Sequence, residues 1–194
     1  MVSDESIEVG IRAKEPKVLV LVDANSVAAD ARVMGRKVNF PGLVNVFSRF
    51  GSIIEARIYA SLPPENSSGL VRFYDYLAHI GMKVVRKSAT RLPSGRIIHD
   101  ETNDQLVDDT MYKAGTLRPQ VVVLCSGNRF YFQLLLRLHR YGIRTIIAST
   151  PQGISQELRT IASDFVDLTE FLSLGEPLTS RMLKPAVPQP LEAA

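Results

Sequence analysis

Four aspartates in this chain of 194 residues stand where they could share a cation. Asp104, Asp108 and Asp109 crowd into residues 101–109, a stretch with the composition of a helix. On a helix, Asp104 and Asp108 share one face with Cβ atoms about 6 Å apart, whereas Asp109 is turned away by roughly 140°. Like charges at that spacing repel. A helix that keeps such a pair either exposes it to water or offers it to a cation, and hard carboxylate oxygens suit Mg²⁺ or Mn²⁺. The fourth, Asp23, follows the apolar run Val-Leu-Val-Leu-Val and is itself followed by Ala24 and Asn25. Chemistry of this kind needs no serine, cysteine or histidine nucleophile. The three histidines, His79, His99 and His139, accordingly fall on unrelated segments.

The element that must position Asp23 is the apolar run at residues 18–22. Five consecutive apolar residues, mostly β-branched, are too few for a membrane span and too unbroken for a half-exposed strand. They predict a central parallel strand covered on both faces. Ligands of open α/β sheets collect beyond the carboxyl ends of such strands, and Asp23 stands at that end of the first. The second wholly apolar strand, residues 121–125, runs into the turn Ser126-Gly127-Asn128. Right-handed crossovers place that turn on the same edge as Asp23.

Between these strands, residues 26–37 read as a functional loop with one short helix. Asn39 caps a helix over residues 40–50, with Pro41 in its first turn, and Gly51 ends it. A strand follows at residues 53–60, a helix from Ser67 or Ser68 to residue 79, and a short strand at 82–86. Residues 87–100 form a basic loop with a hairpin tip at Pro93-Ser94-Gly95. After residue 125 come a helix at 130–141, a strand at 143–148, a helix at 154–162, and a last short strand and helix at 165–172. Strands alternating with helices define an α/β protein with a parallel sheet and helices on both faces.

Composition bounds the rest. A hydrophobic content of 45% suits one domain with a full-sized core, and no apolar run approaches a transmembrane helix. The first 15 residues lack the basic start and apolar centre of a signal peptide, so a cytoplasmic protein without a membrane partner is expected. They read as a loose lead-in, residues 16–172 as the domain, and the proline-rich residues 173–194 as a disordered tail. The single cysteine, Cys125, permits no internal disulfide and reads as a packed core residue. Residues 16–172 hold 19 basic against 14 acidic side chains, a modest bias toward a polyanion. Lys83, Arg86, Lys87, Arg91 and Arg96 follow one another without an intervening acid. A dinucleotide-binding sheet is disfavoured, because no Gly-x-Gly-x-x-Gly turn follows the first strand and Asp23 would repel a pyrophosphate.

Taken together, Val-Asp-Ala-Asn at 22–25, the acidic stretch Asn-Asp-Gln-Leu-Val-Asp-Asp at 103–109, Val-Leu-Cys-Ser-Gly-Asn-Arg-Phe at 123–130 and the close from Leu158 through Ala-Ser-Asp-Phe at 162–165 to Leu168 resemble the NYN domains of the PIN-like ribonuclease superfamily. The resemblance spans about residues 17–172. It implies a PIN-like three-layer α/β/α sandwich with a central, mainly parallel sheet of five to six strands. It also implies an acidic cluster holding Mg²⁺ or Mn²⁺ for hydrolysis of RNA phosphodiester bonds. On that reading Asp23, Asp104 and Asp108 or Asp109 are metal ligands, Asn128 joins the catalytic set, and Asn25 and Ser126 position water or the RNA backbone. Two features depart from the family pattern. The turn reads Ser126-Gly127-Asn128-Arg129-Phe130 where members commonly carry Ser-Gly-Asp and a further aspartate two residues on, and Asn103 stands where many have an acid. An RNA-binding or protein-interaction module without cleavage is therefore the alternative.

An RNA backbone must be gripped by Lys and Arg. The candidates flank the acidic edge: Arg32, Arg36 and Lys37 after the first strand, Arg91 and Arg96 before the acidic helix, and Arg129 after the 121–125 strand. Phe130 and Tyr131 could stack on a base, although helical spacing with Leu134 favours core packing for at least one. The sequence leaves a homodimer open.

Overall fold

The computed structural model describes residues 14–62, 68–79, 81–88, 90–94, 97–98 and 102–173. Its centre is β1 (Lys17–Asp23), in which residues 18 to 22 are fully buried. Both faces are covered because successive side chains alternate. Val18, Val20 and Val22 enter one core, and Leu19 and Leu21 enter the other. That alternation between two apolar layers explains why the strand is written without a polar residue.

The first layer is built by α1 (Ala24–Val33), α2 (Phe40–Val46), which runs into a 3₁₀ turn at Phe47–Phe50, and α3 (Ser68–His79). The second is built by α4 (Thr102–Leu117), α5 (Phe132–Arg140) and α6 (Gln156–Ile161). Between them lies a six-stranded sheet, all parallel, formed by β1 with β3 (Ser52–Leu62), β4 (Lys83–Ser88), β7 (Val121–Cys125), β8 (Arg144–Ser149) and β9 (Asp164–Asp167). The order is β4-β3-β1-β7-β8-β9. The chain winds outward from β1 through β3 to β4, then starts again on the other side at β7. The strand order therefore reverses between β1 and β7, and their carboxyl ends open a crevice there. Two small ribbons complete the fold: β2 (Lys37–Val38) pairs with β10 (Leu172–Ser173), and β5 (Thr90–Arg91) pairs antiparallel with β6 (Ile97–Ile98). The second ribbon lies within the expected basic loop, and Gly95 of the expected hairpin tip lies outside the described residues.

The stretch read as a functional loop with one short helix is more regular than that. Residues 24–33 form a ten-residue helix that takes up most of it and begins two residues earlier. Asp23 is its N-cap, accepting from Ser26 N at 3.1 Å, and Ala24, Val27 and Ala31 are its buried positions. A face of two alanines and one valine carries little hydrophobic signal, but it lets α1 lie close to the sheet.

A charged cluster fastens α4 to β3. Glu55, its side chain only 7% exposed, accepts from Arg57 Nε at 2.5 Å, from Lys83, and lies 3.4 Å from Lys113 Nζ. Arg57 Nη1 also reaches Asp109 Oδ2 at 2.7 Å. Burial alone would raise the Glu55 pKa, but Lys83 and Arg57 outweigh it and hold the group at about 2, below its ordinary 4.5. Because the folded value is depressed, this contribution to stability is complete above pH 4.5 and disappears as pH falls toward 2. Urea unfolding at pH 7, 4.5 and 2.5 should show the wild type losing stability across that window. Glu55→Gln should be less stable than wild type at pH 7 and should lose less between pH 4.5 and 2.5.

Candidate functional site

The crevice at the β1/β7 switch point is a cleft of about 550 Å³. Asp23 enters it from the end of β1, Ser26, Ala28 and Arg32 from α1, Ser61 from β3, Thr102, Asn103 and Asp104 from the first turn of α4, and Asn128 and Phe130 from the segment after β7. The register explains the meeting at the floor. Val22 lies opposite Cys125, so the next residues, Asp23 and Ser126, are neighbours across the strands.

Asp23 is 3% exposed, and both its oxygens are engaged. Oδ1 accepts from Ser26 N, while Oδ2 accepts from the hydroxyls of Ser126 and Tyr131, each at 3.1 Å. Burial raises its pKa, and the hydrogen bonds from Ser26, Tyr131, Ser126 and Asn25 oppose that rise without cancelling it. Among the described residues no Lys, Arg or His forms an ion pair with it. A buried carboxylate without a counter-charge is costly, and a cation at the cleft would relieve it.

Tyr131 is the residue whose role the sequence did not show. It is fully buried, as helical spacing allowed, but its hydroxyl stands 3.1 Å from Asp23 Oδ2 and 2.8 Å from Asn103 Oδ1. A phenol has one proton to donate. If that proton goes to Asp23, the Asn103 amide must turn its NH₂ toward the phenol oxygen. An amide at position 103 can do this, and an ionised aspartate could not. Burial and the charge of Asp23 push the phenol pKa up, so the proton stays on the ring oxygen.

The other site residues expected from the sequence occupy distinct places. Asp104 is exposed in the cleft lining beside Asn103. Asp108, also exposed, lies one helical turn further along α4 and does not line the cleft. Asp109 faces the sheet, accepting from Arg57, from the Tyr59 hydroxyl at 3.0 Å and from Gln105 Nε2 at 2.8 Å. Asn25 donates to Ser61 Oγ at 3.0 Å, and Ser61 and Thr102 share a hydroxyl bond at 2.9 Å. Asn128 caps the 3₁₀ turn Arg129–Tyr131 by accepting from Phe130 N at 3.0 Å. Arg32 is exposed in the cleft lining. Arg36 instead donates to the carbonyls of Thr169 at 2.9 Å and Leu172 at 3.5 Å, tying the turn after α1 to the end of the domain. The Arg129 side chain is 78% exposed and 3.8 Å from Glu157. Arg91 lies in β5, and Arg96 lies outside the described residues.

The donor set decides what ion could be held. Among the described residues no three His, Cys, Asp or Glu side chains gather closely enough to cage a metal. The cleft offers two carboxylates, Asp23 and Asp104, with the amides of Asn25, Asn103 and Asn128 around them. That is too little charge for a closed protein site. It does fit Mg²⁺ or Mn²⁺, because Mg²⁺ commonly keeps several waters and is shared between one or two carboxylates and substrate phosphates.

Fold and cleft thus define an α/β protein of the doubly wound parallel class with an oxygen-lined crevice at its switch point. The NYN domain model matches residues 17–172, and the chain belongs to that family. A crystal structure of a protein of unknown function from Vibrio parahaemolyticus RIMD 2210633 is similar over 82% of this chain and 97% of its own, with a TM-score of 0.72 at 23% identity. That likeness shows the fold. No curated protein matches the chain. Among the described residues no helix is long and apolar enough to cross a membrane.

Proposed function

We propose that the cleft binds RNA and hydrolyses a phosphodiester bond with the help of one Mg²⁺ or Mn²⁺. The observation that carries this reading is the convergence of Asp23 from β1, Asp104 from α4 and Asn128 from the turn after β7 around one crevice. Asp23 and Asp104 would hold the ion. When bound, such an ion offsets the negative charge that develops on the phosphoryl oxygens. Ser126 and Tyr131 fix Asp23 by their hydroxyls, so the carboxylate meets its partner without reorganising. Arg32, the one base of the lining among the described residues, grips a phosphate. Asn25 and Asn128 orient water or the sugar-phosphate backbone.

A second reading, binding without cleavage, is favoured by one specific feature. Asn103 and Asn128 bring neutral amides into the lining, and Asp109 is committed to Arg57. End-labelled single-stranded RNA incubated with Mn²⁺, Mg²⁺ or EDTA separates the two. Cleavage should appear with Mn²⁺ or Mg²⁺ and be absent in EDTA. RNA that is retained but intact in every buffer would replace the first reading with the second. In that event Asn103→Asp with Asn128→Asp should raise Mn²⁺ affinity about tenfold or more, since each change adds a hard anionic ligand.

A further inference from the structure

The cleft has a neighbour on α1. Ala28 and Arg32, one helical turn apart, also line a second recess of about 440 Å³ on the side where α1, β2, α2 and α3 meet. Its walls are Val38, Phe40, Leu70 and Phe73, and the charged residues lining it, Arg32, Arg36 and Lys37, are all positive.

We propose that this recess receives a nucleobase of the RNA strand whose phosphate lies in the cleft. The inference rests on the RNA-binding reading above and adds a subsite to it. Three observations carry it. First, the two cavities adjoin, sharing Ala28 and Arg32 in their linings, so a strand whose phosphate is held by Arg32 passes beside the recess. Secondly, the chemistry matches a nucleotide in both parts. An apolar interior suits the base, and a cationic lining suits the phosphates on either side of it. Arg36 is held in that position by the carbonyls of Thr169 and Leu172, neither of which neutralises its charge. Thirdly, an aromatic surface is available. Phe73 is partly exposed, and the buried Phe40 braces it with ring centroids 5.7 Å apart at 52°. The volume also falls within the range of about 300–1,000 Å³ typical of small-molecule sites.

The test is a binding scan with the full chain, in Ca²⁺ at low salt, using a short single-stranded RNA in which each base in turn is replaced by an abasic ribose. One position should weaken binding by about tenfold to a hundredfold, the range expected for loss of one base stack. Phe73→Ala should weaken the intact RNA by the same factor and leave the corresponding abasic RNA unaffected. Because Phe73 packs against the core, 5-iodouridine at the sensitive position provides a measurement on unaltered protein, with the cross-link expected on Phe73 or Phe40. Arg32→Glu should weaken intact and abasic RNA alike. Wild-type protein that binds intact RNA but is indifferent to every abasic position, or cross-links only elsewhere, overturns the recess and leaves the cleft standing. Wild-type protein that binds no RNA at all removes both.

Discussion

Asp23→Asn should abolish the proposed RNA cleavage, lowering the single-turnover rate on the order of 10²–10³-fold or more, and should leave the folded protein no less stable. The two halves of that expectation come from one set of contacts. Asp23 Oδ1 serves Ser26 N as an amide oxygen would, and the hydroxyls of Ser126 and Tyr131 beside Oδ2 can reverse their protons to accept from an NH₂. The substitution therefore preserves the hydrogen-bond count. It removes a negative charge that burial penalises and no basic side chain among the described residues balances, so the unfolding temperature should hold or rise by a few degrees. The proposed catalysis should move the other way, because the introduced amide would give the ion a neutral oxygen in place of one of the two carboxylates in the lining among the described residues. Thermal unfolding and cleavage in Mn²⁺ are the paired measurements. Equal cutting by both proteins would place the activity elsewhere. A large fall in stability together with activity would make Asp23 a structural cap and nothing more.

How far the chain could be read before its structure was seen follows from where the physical signal lay. Residues 18–22 and 121–125 declared themselves, because strands buried on both faces have no polar alternation to blur them. Their position fixed the edge on which Asp23 and Ser126 meet, and hence the switch-point cleft. Helix α1 was hidden, since its buried face is written in alanine and its cap, Asp23, is also a residue that can do chemistry. Asp104 and Asp108 could be placed on one face of a helix and Asp109 away from them, but which face meets the sheet was not legible. The register was settled by a partner 52 residues earlier in the chain, Arg57, which draws Asp109 to β3. Nothing local to Tyr131 announces that its ring belongs to the core while its hydroxyl belongs to the site. Arg36 shows the same limit: a basic residue after the first strand could equally hold RNA or two distant carbonyls, and only the closed fold distinguishes them.

The second large effect concerns Gly127, the middle of the Ser-Gly-Asn turn. A Cβ on Gly127 would stand 2.0 Å from Gly153 O, 2.5 Å from its carbonyl carbon and 2.7 Å from Ser149 Oγ. Backbone on backbone cannot swing aside as a side chain can. The opposing loop is pinned from behind as well, because Gly153 packs against Asp30, which accepts from Ser149 Oγ at 3.3 Å and Thr150 Oγ1 at 3.1 Å. From the front, Ser155 N donates to Gly127 O at 2.9 Å. Gly127→Ala must therefore push the turn toward the cleft or break these bonds, at about 1–3 kcal/mol, a fall of about 3–10 °C in unfolding temperature. Moving the turn carries Ser126 Oγ away from Asp23 and shifts Asn128 in the cleft lining, so cleavage should fall about tenfold to a hundredfold beyond any loss from unfolding. Gly115→Ala is the matched control. The same methyl added within α4 meets no atom inside 4 Å, and it should raise stability by about 0.5–1 kcal/mol with cleavage unchanged. A Gly127→Ala protein that melts and cuts like wild type would mean that the turn is free to yield, and that the closeness of its backbone to residue 153 has no part in shaping the cleft.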